Sequence, residues 1–446
     1  MDFQFPKIRF RYNIWVQDIL VSVVFFFIIF FRLHPFLLHE IQRPEFFTNW
    51  GFLREHLLLP GGLVDYFSAL FTQAFEYPLL GAFLLTSMVL AVSFLTRKII
   101  QDLWKVGVHT LHWIPGLFFL LLFAHYSTPL SLIVGTIVGL ISIWLFFNLR
   151  PKSAALRIGL YTIYAGLLYW FAGGPIWLFT VFCAIWEWVN SKSIVRGFVY
   201  LLISVVLCLV GSAFIFLTFF GQACTNNLPI ESFYPPAFAG WGILVFFLLI
   251  GCLSFFIKVF REFLGEKSNQ MRKNIWLAGT VLLLGILSVF AWTVFDTSLA
   301  RYYMILRAGR KNDWGTVLRF GKDPVIMTPH TCLQVNRALW HKGCLLDSAF
   351  VYPQRNGTVG LIPNKDLCFE NPEVASHLFL ELGLLSEALH WNHELIEILG
   401  ETPEILDRMG VLYLLKGEKE AAKMYWRKLK YTLQGRKRAR YLLKKI

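Results

Sequence analysis

Between His34 and Pro78 the chain gathers Glu40, Glu45, Glu55, Asp65 and Glu76. Arg43, Arg54, His34, His39 and His56 lie among them, and Arg32 comes just before. Acids beside arginines suit one chemistry. A carboxylate can take a proton from an acceptor hydroxyl while guanidinium forks hold a phosphate. On this reading Glu40, Glu45 or Asp65 is the catalytic base, and Arg43 or Arg54 binds phosphate. The competing reading is a surface loop that anchors a helix bundle and pairs its own charges.

Other residues that could carry chemistry are scattered. His109 and His112, three apart, share a helix face and could begin a metal site. No carboxylate stands near them in sequence, so no metal is assigned. Glu187 lies between Trp186 and Trp188 near the end of an apolar run. An acid there is a functional candidate, but the flanking tryptophans point to an interfacial belt where it reaches water. The loop from Gly221 to Pro236 carries Asn226, Asn227 and Tyr234 and could close over the first loop. The seven cysteines show no C-x-x-C pair, although a Cys332–Cys344 bridge is conceivable. No phosphate cradle, nucleophile elbow or zinc spacing occurs, and no cofactor is implied.

The elements that must position these residues are helices. In the first loop Phe46, Trp50, Leu53 and Leu57 recur at helical spacing, which predicts an amphipathic helix ended by Pro60-Gly61-Gly62. A second helix starts near Leu63 and carries Tyr66, Phe67, Leu70 and Ala74 on one side. Both are expected at a membrane surface. With 446 residues and 56% hydrophobic content, 44 of them phenylalanine, lipid must be the solvent for much of the chain. Nine spans are expected, at 14–32, 79–95, 108–124, 129–148, 155–171, 175–190, 197–220, 238–257 and 275–295. The first, preceded by Lys7, Arg9 and Arg11, is bulky throughout and reads as a retained anchor.

The net charge of +14 sits in the short connections and at the C-terminal end, which is the wrong distribution for nucleic acid. One set of connections holds sixteen lysines and arginines, and the opposite set holds only Arg32, Arg43 and Arg54. The positive-inside rule then puts the N-terminus in the cytoplasm and residues 296–446 outside it.

From Asp296 the composition is that of a soluble helical domain. Residues 34 apart match: Phe379 with Tyr413, Gly383 with Gly417, Ala388 with Ala422. Leu406, Gly410, Tyr413, Ala422 and Trp426 follow the large, small, aromatic, small, aromatic pattern of a tetratricopeptide repeat. The small positions would let paired helices approach closely. Two further hairpins, degenerate, are expected at Tyr302–Phe320 and Asn336–Tyr352, giving a short right-handed solenoid of four. The tail from Arg427 to Ile446 holds nine cations and no acid. It reads as a solvated capping helix, or as a surface for anionic lipid.

The motif PGGLVDY followed by Gln73 and Tyr77-Pro78, the stretch NRALWHKGCLLDSAFVYPQ and the terminal repeats resemble an uncharacterised family of polytopic membrane proteins. That family is of Bacteroidota type and has tetratricopeptide-like tails. The resemblance spans nearly the whole chain and implies a layout and an envelope setting. It implies no catalytic residues. An acid in the loop after the first span also resembles the layout of GT-C-class membrane glycosyltransferases, without the adjacent acidic pair often found there. The expected protein is therefore all-α: a transmembrane bundle over 1–295 and an extracytoplasmic helical-repeat domain over 296–446. Its partners would be the lipid bilayer and a protein or peptide on the repeats. The alternative is a transferase acting on a lipid-linked substrate, and a nucleic-acid partner is excluded.

Overall fold

The computed structural model describes residues 14–37, 45–104, 110–124, 128–149, 153–190, 193–229, 237–263, 269–293 and 295–446. Among them every regular element is helical and no strand forms. Two compact units result, one drawn from Met1–His34 and Glu55–Val294, the other from Pro35–Arg54 and Phe295–Ile446.

The described residues start with α1 (Ile14–Ile28), which runs into a π-helical turn at Ile29–Leu33 and then α2 (His34–Leu37). After it come α3 (Trp50–Leu57), α4 (Gly62–Thr72) and α5 (Pro78–Trp104). The bundle continues with α6 (Ile114–Phe123), α7 (Ser131–Asn148), α8 (Ala154–Ala172) and α9 (Ile176–Asn190). It is completed by α10 (Ile194–Val210), α11 (Phe220–Thr225), α12 (Ala237–Phe263) and α13 (Asn269–Thr293).

Among the described residues five helices are long and apolar enough to cross a bilayer: Val16–Leu33, Pro78–Trp104, Ser131–Asn148, Ala154–Ala172 and Ile194–Ile215. Four shorter apolar helices accompany them, at Leu111–Phe123, Ile176–Asn190, Ala239–Ser254 and Ala278–Phe290. Their outward faces carry residues that water would not tolerate in such number. Phe214 is 80% exposed, and Phe83, Val195, Leu202 and Leu282 are open as well. Lipid covers surfaces of this kind, so the chain is a membrane protein.

The first loop departs from its predicted form. Phe46 is not on a helix: the stretch before Trp50 is extended, and α3 starts where the Asn49 side chain accepts from Phe52 N at 3.3 Å. Gly61 adopts a left-handed φ of 82° at the head of α4. Pro78 opens α5 after an extended Tyr77, because the ring disfavours a helical residue before it.

In the second unit α14 (Thr297–Arg310) pairs with α15 (Trp314–Phe320), and α16 (Pro329–His341) is followed by the short α17 (Leu345–Ser348). Then come α18 (Lys365–Glu370), the pair α19 (Pro372–Glu381) and α20 (Leu385–Leu399), the pair α21 (Pro403–Leu415) and α22 (Lys419–Leu429), and α23 (Arg436–Lys445). The starts of α16, α19 and α21 share one device. Thr328, Asn371 and Thr402 each accept a backbone N–H three residues on, and each is followed by proline at the first helical position.

The last two pairs share a core of Ala388, Leu406, Met409, Leu412, Ala422 and Trp426, all buried, with Phe379 and Tyr413 against its edge. Gly410 lies under the Trp426 indole, and Tyr413 stacks on Tyr425 at 5.5 Å. Gly383 and Gly417 do not serve close packing, contrary to the repeat pattern. Each has a left-handed φ, 77° and 88°, in the turn between paired helices, and a β-carbon there would meet nothing within 4 Å. Cys332 and Cys344 are both free. The Cys332 thiol instead donates to Gln354 Oε1 at 3.2 Å.

Pro35–Arg54 groups with this second unit, whereas the sequence assigns the whole 34–78 loop to the bundle. The cause is backbone pairing. Thr48 donates to the Tyr431 carbonyl from both its N–H and its hydroxyl at 2.9 Å, and Phe47 bridges Thr432. The Phe47 ring also packs on the core around Trp426.

Candidate functional site

The first-loop candidates do not share a unit. Glu40 and Arg43 lie outside the described residues. Glu45 and an exposed Arg54 belong to the second unit, and Asp65 belongs to the bundle.

Asp65 lies one turn into α4, where three turns of the bundle are stitched together. Asn226 Nδ2 donates to the Pro60 carbonyl at 2.8 Å and to Asp65 Oδ2 at 3.4 Å. The buried Asn227 donates to Gly61 O at 3.1 Å and Ala172 O at 3.4 Å. Gly174 N donates to Asn226 O, and Gly61 N to Trp170 O. The Gly221–Pro236 loop therefore does reach the first loop, through two adjacent asparagines. Burial pushes the Asp65 carboxyl above the usual range, against the opposing pull of Asn226, Ser131, His56 and Asn227. A half-buried acid of this kind holds its proton more tightly than a free one.

His112 finds the carboxylate that its sequence neighbourhood lacks. Asp18, on α1, contacts Arg97 at 2.5 Å and His112 Nε2 at 3.7 Å. His109 lies outside the described residues. Among the described residues no group of three His, Cys, Asp or Glu side chains is placed to hold a metal ion.

Glu187 does not reach water. It is fully buried, with Arg157 Nε at 2.5 Å from Oε1 and Arg196 Nη1 at 3.2 Å from Oε2. Tyr200 donates to Oε1 at 3.3 Å, and the Tyr200 ring stacks on Tyr161 at 4.0 Å. The Tyr161 hydroxyl continues the network to Thr180 and Ser204 at 2.8 and 2.7 Å. This polar track through α8, α9 and α10 is the largest element missed from sequence. Arg157 and Arg196 read there as loop cations; what could have flagged them is their place in the first turn of apolar helices that flank the one bearing Glu187.

In the second unit the polar residues form a row across the first helices of successive pairs. Arg310 on α14 donates to Glu373 on α19 at 2.5 Å. Arg337 on α16 forks onto Glu381 of α19, at 3.0 and 2.6 Å, and His341 contacts the same carboxylate at 3.1 Å. Arg408 on α21 donates to His377 on α19 and, at 3.2 Å, to Asn392 Oδ1. Trp314 stacks on His341 at 4.4 Å.

Burial disfavours ionised Glu381, but the hydrogen bonds and charge of Arg337, with those of His341, hold it below the usual carboxylate range. Burial, and then the charges of Arg408, Arg337 and Arg310, push His377 well below the imidazole range. His377 is therefore neutral and able to accept from Arg408. The row contains no nucleophile beside a base. Its members pair with one another by charge and hydrogen bonding.

The chain matches the model of a family of unknown function, DUF6057, over residues 10–446. No curated protein and no solved structure matches it.

Proposed function

We propose that this chain, which belongs to the DUF6057 family, is a multi-pass protein of a bacterial inner membrane that presents a helical-repeat unit to a protein or peptide of the cell envelope. The observation that carries the reading is the set of ion pairs that joins α14, α16 and α21 each to α19. First helices lying side by side, with their second helices packed behind, are the arrangement of a tetratricopeptide-like solenoid, whose inner face binds extended partners. The partly open His341 and the exposed Trp340 at the end of α16 add an aromatic edge to that face. Aromatic residues beside arginines are what protein interfaces favour.

The membrane part of the reading takes the five long and four shorter apolar helices as nine crossings. Counting cations at the helix ends together with those in the connections, sixteen fall on one side of the alternation and three on the other, so the N-terminus is then cytoplasmic and the second unit extracytoplasmic. A photo-cross-linking residue placed at Lys342, next to the row, tests the binding reading in cells. It should give a discrete adduct that the same residue at the exposed Met424 of α22 does not give. Equal adducts from both positions, or none from Lys342, would remove the reading.

A second reading rests on Asp65, whose raised proton affinity suits a general base. It is a GT-C-like transferase working from a lipid-linked donor at the extracytoplasmic face, with Glu40 and Glu45 as the other candidate acids and Arg43 and Arg54 on phosphate. The bond from Asn226 to the Asp65 carboxylate counts against it, because that oxygen is already engaged in holding loops together.

A further inference from the structure

The Arg157–Glu187–Arg196 cluster carries more positive charge than the bundle neutralises. Two guanidiniums meet one carboxylate, which accepts a hydrogen bond at Oε1 and meets Arg196 at Oε2 by charge alone. Oε1 faces Arg157 and accepts from Tyr200, and Oε2 faces Arg196. Arg157 is 93% buried by side chain, its guanidinium 4.0 Å from the Trp186 ring centroid and 5.3 Å from that of Phe146, and its Nη2 has no hydrogen-bond partner. Aromatic faces stabilise the charge without accepting its N–H bonds as an anion would. The two arginines also occupy the opening turns of α8 and α10, whose N-termini add positive potential. A buried guanidinium with an unused N–H, in a cluster of net charge +1, is one anion short.

We propose that Arg157 and Arg196 hold a phosphate-bearing anion at the end of the bundle where α8 and α10 start and α9 ends. A guanidinium fork matches a phosphate's oxygens in geometry and charge. Arg196, with a side chain 24% exposed, is the entry side of the site. The surroundings favour a lipid headgroup over free phosphate. Leu156, Ile194, Val195 and Phe198 flank the two arginines on α8 and α10, and all are more than half exposed, a surface suited to acyl chains beside the headgroup. The argument uses only the bundle and does not depend on what the second unit binds.

The test uses the full chain in a neutral detergent, followed by thermal unfolding and native mass spectrometry. Dioleoyl phosphatidylglycerol should raise the midpoint by at least about 3 °C more than dioleoyl phosphatidylcholine, and should survive as a bound adduct. Arg196→Gln should abolish the difference while Arg196→Lys keeps part of it; being more exposed than Arg157, this position is the safer one to change. Arg157→Gln, where it folds, should behave like Arg196→Gln. If inorganic phosphate stabilises the wild type as much as phosphatidylglycerol does, and Arg196→Gln removes that too, the anion site stands with a soluble ligand. If Arg196→Gln responds to phosphatidylglycerol as the wild type does, or the wild type distinguishes neither anion from phosphatidylcholine, the site is wrong.

Discussion

Trp426 lies so close over Gly410 that a β-carbon on that glycine would meet the indole Nε1 at 2.3 Å. The indole is fully buried and joins α22 to α21. Gly410→Ala forces the ring or the helix aside. Overpacking of this kind costs about 1–3 kcal/mol, of which alanine's better helix propensity returns up to about 1 kcal/mol. Amide hydrogen exchange of the full chain should show faster exchange across α21 and α22 and little change in the bundle. Unchanged protection of both helices would contradict the packing described.

Asn227 is nearly inaccessible, and one amide group satisfies two carbonyls from separate turns. Asn227→Ala leaves Gly61 O and Ala172 O without that donor, at a cost of about 1–3 kcal/mol. The expected result is a lower thermal midpoint for the detergent-solubilised protein and easier proteolysis between α3 and α4. Asn226→Ala should act in the same direction, since it removes the bond to Pro60 O.

Acid should loosen the second unit in two stages. His377 is pushed below its ordinary value of 6.5, so its contribution is fully present above about that pH and is lost as pH falls toward its folded-state value. Protonation would also set an imidazolium against Arg408. Glu381 is held below its ordinary 4.5, so the stability from its pairing is present above that value and is lost at lower pH. Exchange rates of α19 and α21, taken relative to the intrinsic rate at each pH, should first begin to rise as the pH falls below about 6.5. His377→Gln, which keeps an acceptor for Arg408, should remove that first stage and leave the second. A rise that starts only below pH 4.5 in the wild type would rule out a neutral His377.

Asp65→Asn separates the two functional readings. The amide keeps an oxygen to accept from Asn226, so the loop junction should survive and the protein level should hold. A transferase that uses Asp65 as its base should lose about 10²–10⁴-fold in activity, seen as loss of function in cells. A binding protein should retain function with this change.

How much of this was legible in the residues depended on whether the signal was local. The starts of α16, α19 and α21 are written as Thr328-Pro329, Asn371-Pro372 and Thr402-Pro403, each a cap followed by proline. The apolar runs announce the long helices in the same way, and the tall-over-small match of Trp426 and Gly410 stands in the repeat register. Partners chosen across the fold left no such trace. Nothing periodic ties Thr48 to Tyr431, so the extended stretch before Trp50 was read as helix from its spaced aromatics. Arg157 and Arg196 read as loop cations because a single sequence does not reveal that Glu187 lies between them. Gly383 and Gly417 match in the 34-residue register, which does not say whether a glycine serves packing or a turn. Their backbone shows that small here means left-handed.

The central claim, a repeat unit held on the side of the membrane away from the clustered cations, is tested most directly by reporter fusions. Alkaline phosphatase and a cytosol-dependent fluorescent protein would each be fused after Ile446 and, separately, after Lys98. The account predicts phosphatase activity with no fluorescence at the first position, and fluorescence with no phosphatase activity at the second. A fluorescent fusion after Ile446 would place the repeats in the cytoplasm and contradict it.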